Sequence, residues 1–169
     1  MGRKTAPEKV VAQWAVLRHV FDVNIWNFEV RAAQIAESGF KSSFAKRRFY
    51  DSNSSPWPPR KHPKPHPMLR ETGTLMNSIT TKVPSMSINR RKKTVKVFTD
   101  PKKFGTAARH PGFCYAAVHN SPDSKGFRRG RASNIAQRQF MGNSSIIEHR
   151  ILDVASMIFK GFPGQPGII

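Results

Sequence analysis

Four groupings of side chains in this 169-residue chain have types and spacings that could do chemistry. His62 and His66 stand four apart in HPKPHP. On a helix that spacing can share a metal ion, but proline forbids a helix here, so no metal is expected. Cys114 and His119 lie in FCYAAVHN and could pair as thiol and base. Cys114 sits in an apolar run and reads as a small core residue, and His119 reads as a buried hydrogen-bonding or subunit-contact residue rather than a base. Lys46, Arg47 and Arg48 precede Phe49 and Tyr50, a basic and aromatic platform that could stack on bases, unless the two aromatics anchor the loop that follows. The last grouping is two basic clusters, Arg90, Arg91, Lys92, Lys93 and Arg128, Arg129, Arg131, read as facing DNA or an acidic partner. The ten Asp and Glu residues are scattered, with no paired carboxylates and no phosphate-binding glycine loop. Neither an enzyme nor a cofactor is expected.

Lys and Arg number 29, for a net charge of +19, and the middle of the chain carries it. Residues 1–39 hold five basic and four acidic residues and 141–169 two of each, whereas 40–70 hold eight and one and 101–140 eight and one. A field of that density attracts polyanions, nucleic acid first, with an acidic neighbouring protein as the alternative. The lone Cys114 excludes an internal disulfide and fits a reducing compartment. With no signal-peptide run and nothing near the roughly 20 apolar residues of a membrane span, the expectation is a soluble intracellular product with no membrane contact.

These groups need elements to position them. Apolar residues at Val10, Trp14, Leu17, Phe21, Ile25, Phe28, Ala32 and Ile35 step by three and four, which predicts an amphipathic helix from Pro7 to about Glu37, stopped by Ser38-Gly39 and about 45 Å long. A second row, Val16, Val20, Val23 and Val30 with Trp26 between the rows, lies on the opposite side. It meets either another subunit or the C-terminal helix of the same chain. Six prolines in residues 56–67 remove backbone donors and predict an extended arm, with Trp57 docked on a surface. Gly73 between two threonines predicts a positive-φ turn feeding a strand from Ser78 to Ile88. Pro84 marks that strand as an edge or a bulge, and Thr94 to Thr99 pairs with it as a hairpin whose tip is Arg90 to Lys93. Gln137 to Met141 reads as a short strand. A capping box of Ser145 and Glu148 opens a last helix with apolar face Ile147, Ile151, Val154 and Ile158, ended after Lys160 by Gly161. The chain is expected to be one domain, with a helix over 1–39, a basic proline-rich arm over 40–67, and sheet plus C-terminal helix over 68–169.

Taken in order, a long helix, Trp57-Pro58, the run Leu69, Thr72, Gly73, Leu75, Ser78, Ile79, a hairpin, then Tyr115, Ala116, His119, then Arg138, Phe140, Gly142 and a closing helix resemble the virion-morphogenesis family of tailed bacteriophages, the tail-completion or neck proteins. Two positions depart from that pattern: Asn120-Ser121 stand where Gln and Gly are usual, and Gln139 where proline is common. The resemblance implies an α+β subunit, an antiparallel sheet packed on a long N-terminal and a C-terminal helix. It also implies a homo-oligomeric ring at the head-to-tail junction of the virion, made in the host cytoplasm, with portal or adaptor and tail proteins as neighbours and genomic DNA in its channel. The reading from another class is a sequence-nonspecific nucleic-acid-binding protein.

Overall fold

The first helix runs farther than its periodicity indicates. In the computed structural model, which describes residues 7–60, 62–84, 94–104, 115–120 and 136–162, α1 spans Pro7–Lys46 without a break, about 60 Å. Ser38-Gly39 does not stop it. A Cβ at Gly39 would lie 2.6 Å from Ile147 Cδ1 and 2.7 Å from Ile147 Cγ1, so the glycine serves close approach of the C-terminal helix rather than termination. Arg47 in the left-handed region (φ 53°) ends the helix, and Arg48 N–H donates back to the Ser43 carbonyl at 3.2 Å, which closes the last turn.

Gly73 takes the positive φ its neighbours predict (72°), but it feeds a short helix first, α2 over Thr74–Ser78, and only then β1 over Ile79–Lys82. The strand is therefore shorter than the β-branched run and ends before Pro84; 85–88 and the tip Arg90 to Lys93 lie outside the described residues. β2, Lys96–Thr99, pairs antiparallel with β1 in the register Ile79 with Thr99 and Lys82 with Lys96, as the hairpin reading expects. Asp100 closes it by accepting the Lys102 N–H at 3.0 Å in a 3₁₀ turn, Pro101–Phe104. The FCYAAVHN segment contributes a short helix, α3, Tyr115–Asn120; Cys114 lies outside the described residues.

Residues 137–141 are extended but not a strand. No strand among the described residues meets them, and side chains take the place of a ladder. The Asn120 Oδ1 accepts from the Phe140 and Met141 amides at 3.0 and 2.8 Å, while Trp57 Nε1 donates to the Gln139 carbonyl at 2.8 Å. α4, Ser145–Leu152, is capped by Ser144 rather than Ser145: Ser144 Oγ accepts from the Ile147 N–H at 3.2 Å. Ser145 is already the first helical residue, and its hydroxyl and N–H both donate to Asp51 Oδ1, at 2.7 and 2.8 Å. Those Ser145 hydrogen bonds hold the Asp51 carboxyl below its usual range. The predicted continuation to Lys160 is instead a separate 3₁₀ stretch, Ala155–Phe159, which Gly161 (φ 90°) ends.

The result is an α+β fold in which the hairpin and the C-terminal segments pack on α1. The core joins Ile35, Phe40 and Phe44 of α1 to Phe49, Trp57, Leu75, Ile79, Phe140 and Ile147. Among the described residues, no helix is long and apolar enough to cross a membrane.

Candidate functional site

The residues of the family-like pattern converge. Trp57, Leu75, Ile79, Ala116 and Phe140 are buried in the core, Ser78 is buried beside them with its hydroxyl on the Leu75 carbonyl (2.7 Å), and Gly73 and Gly142 both have positive φ. Arg138 is the polar centre of this group. Its guanidinium is buried and donates to the Pro58 carbonyl (3.2 Å), the Pro59 carbonyl (3.2 Å) and the Ala136 carbonyl (3.4 Å), with Met68 Sδ at 3.0 Å. The proline-rich arm is thus a strap clamped by one side chain, with Trp57 driven into the core as its anchor. Farther along, Arg60 grips the end of the same strap through the His66 and Pro67 carbonyls, both at 2.9 Å.

Beside this clamp lies a cleft of about 250 Å³ lined by Arg60, His66, Leu69, Glu71, Thr72 and His119 among others. His66 Nε2 is 3.3 Å from Glu71, so it faces an ion-pair partner; His62 is exposed, and no cluster among the described residues could hold a metal ion. Burial, and then the charge of Arg138, lower His119 from 6.5 to about 4. The sign follows from proton uptake. Between pH 6.5 and 4 the unfolded chain binds a proton at this position that the native state refuses, so stability falls as pH drops through that window. The carboxylates of Glu37 and Asp51, lowered from 4.5 and 3.8, lose their contribution only as pH falls from about those values, below the range from pH 7 to pH 5. The urea midpoint is therefore expected to fall between pH 7 and pH 5 in the native sequence and to stay nearly flat in His119→Gln. An equal pH slope in the two would show that His119 carries none of it.

The basic and aromatic platform does not form. Phe49 is buried in the core, and Tyr50 is half-buried with Lys46 Nζ 4.4 Å from its ring centre, so neither ring is open to stack on a base. They anchor the loop, the other reading of that pair. Arg128, Arg129 and Arg131 lie outside the described residues.

Of the two apolar rows on α1, the middle is covered by the chain itself. Phe21 packs on Phe159 (6.4 Å) and edge-on to Phe162 (6.0 Å, 80°), and Asn24 Nδ2 donates to the Ile158 and Lys160 carbonyls at 3.1 and 2.6 Å. Val20, Val23, Trp26 and Val30 are half-buried, and Trp26 Nε1 is buried with no acceptor among the described residues. Val16 is not covered: it is 63% exposed, and the turns before it expose Val10, Val11 and Trp14, the last two at 68%.

The hairpin has two unlike faces. Inward, Ile79 is fully buried, Val97 packs on the core, and Thr81 donates to Glu37 at 2.6 Å. Burial raises the Glu37 carboxyl, but the hydrogen bonds from Lys41 and Thr81 outweigh it and leave it lowered. Outward, Thr80, Lys82, Lys96 and Phe98 share the other face, with Lys82 directly opposite Lys96 and both exposed. The alternation in the sequence puts Lys96 with Phe98 on the face opposite Val97, but assigns no contact to Lys82, Lys96 or the exposed Lys102 and Lys103, since the denser charge lies at 90–93. The period-two alternation TTK and KVF was the signal available. Comparison with protein-family models, with curated proteins and with solved structures finds no match.

Proposed function

We propose that this chain is a structural subunit of a phage neck or tail-completion ring, joining the capsid portal to the tail around the DNA channel. The reading is carried by the first turns of α1. Val10, Val11, Trp14 and Val16 present apolar surface to solvent on a segment that is nearly neutral, in a chain whose net charge of +19 would otherwise keep copies apart. An apolar, nearly neutral segment on a cationic chain is the surface through which like subunits can meet. The order of the motif residues supports the same class, and their convergence around Arg138 gives that order a physical reason. The rival reading, a nonspecific nucleic-acid binder stacking bases on Phe49 and Tyr50, lacks its platform. Portal or adaptor proteins, tail proteins and genomic DNA are the neighbours this function requires, in the virion at the head-to-tail junction.

Light scattering on the purified protein tests the assembly. The native chain is expected to form a closed multiple of its 19.1 kDa mass, and Trp14→Glu to shift it to monomer with its melting temperature unchanged. A stable monomer in the native sequence, found in no virus particle, would overturn the proposal.

A further inference from the structure

We infer that the exposed lysines of the β1–β2 hairpin, Lys82 and Lys96 on its outward face and Lys102 and Lys103 in the turn that follows it, form a contact surface for the sugar-phosphate backbone of duplex DNA. It deepens the ring reading by naming the surface that meets the polyanion, and it rests on that reading for duplex DNA as the ligand.

Three observations carry it. First, Lys82 and Lys96 are register partners on the same face, so two like charges stand opposite each other across one rung. Such pairs weaken a sheet on their own. None of Lys82, Lys96, Lys102 and Lys103 has an ion-pair partner among the described residues. A ligand that places negative charge between them removes the penalty. Second, the two carboxylates bonded to the hairpin and its closing turn are directed elsewhere: Asp100 accepts the Lys102 N–H, and Glu37 lies on the inward face between Lys41 and Thr81. Third, the chain leaves the ribbon at Lys82 and re-enters at Lys96, and the residues between include Arg90, Arg91, Lys92 and Lys93.

Duplex DNA fits this face better than an acidic protein. A protein partner needs apolar anchors to bury, and here Phe98 on the next rung of this face is already half-buried, so the exposed side chains are the two lysines of the end rung.

Fluorescence anisotropy of a labelled duplex of arbitrary sequence, titrated with the full chain between about 50 and 200 mM salt, reads the contacts as the slope of log affinity against log salt. Lys82→Gln with Lys96→Gln is expected to reduce that slope by about 1.8, and adding Lys102→Gln and Lys103→Gln by about 3.6 in all. Arg31→Gln with Arg150→Gln, away from both proposed surfaces, should leave it unchanged. The double ribbon variant should melt no lower than the native protein, since it relieves a repulsion. An unchanged slope in the quadruple variant overturns the site, and so does equal affinity for polyglutamate, which would make the ligand an acidic protein. Light scattering on the same variants separates the two proposals. A native chain that is monomeric yet loses its slope in the variants sinks the ring and keeps the ribbon, and an intact ring with an unmoved slope does the reverse.

Discussion

Arg138→Met is expected to destabilise the fold by about 3–5 kcal/mol, more than any other single polar substitution. The methionine can follow the path of the arginine stem, but it offers no donor to the Pro58 and Pro59 carbonyls. Each of those acceptors loses a charge-assisted bond of about 1.5–3 kcal/mol at a site where Arg138 is 8% exposed. Neighbouring chain cannot replace it, because the strap is proline-rich and pairs with no strand over these residues. Arg138→Lys restores charge without the fork and should recover less than half of the loss. Urea unfolding gives the magnitude, and limited proteolysis gives the mechanism: cleavage within 56–67 should appear in Arg138→Met at denaturant concentrations where the remainder is still folded. A midpoint within about 1 kcal/mol of the native protein would remove the clamp from the account.

Phe44→Ala is expected to cost a similar amount, about 3–5 kcal/mol, through a cavity rather than through lost donors. Phe44 is 1% exposed, stands edge-on to Trp57 (5.6 Å, 83°) and packs at a tilt on Phe140 (5.2 Å, 48°). Removing it leaves two large rings without a shared neighbour, and that aromatic geometry is worth about 0.5–1.5 kcal/mol beyond the area buried. Phe44→Leu keeps most of the volume and should recover more than half of the loss. The comparison also bears on the length of α1, since Phe44 lies beyond Gly39 and reaches the core only because the helix continues. If the alanine variant unfolded at the native urea concentration, the last turns of α1 would not be part of the core.

Several elements were legible because their signals are local. Steps of three and four place α1, β-branched alternation places the paired strands, Asp100-Pro101 ends the hairpin, and Gly73 takes a positive φ for want of a Cβ. The segment charges, neutral at the ends and basic in the middle, are likewise a property of the chain alone. Elsewhere a local signal had two uses and only a distant partner chose between them. Ser38-Gly39 reads as a helix stop, yet Ile147 needs the space that a glycine leaves. Ser145 reads as a cap, yet it stands in the first helical position bonded to Asp51, and Ser144 takes the role.

Tertiary structure also decided which residues meet. It brought Arg138 to the carbonyls of a strap some 80 residues away, buried Phe49, covered the middle of α1 while leaving Val11 and Trp14 bare, and set Lys82 across from Lys96. Conformational preference acts within a few bonds and is written residue by residue. Burial and hydrogen-bond partnership depend on which segments share a volume, and that is settled only when the chain closes on itself.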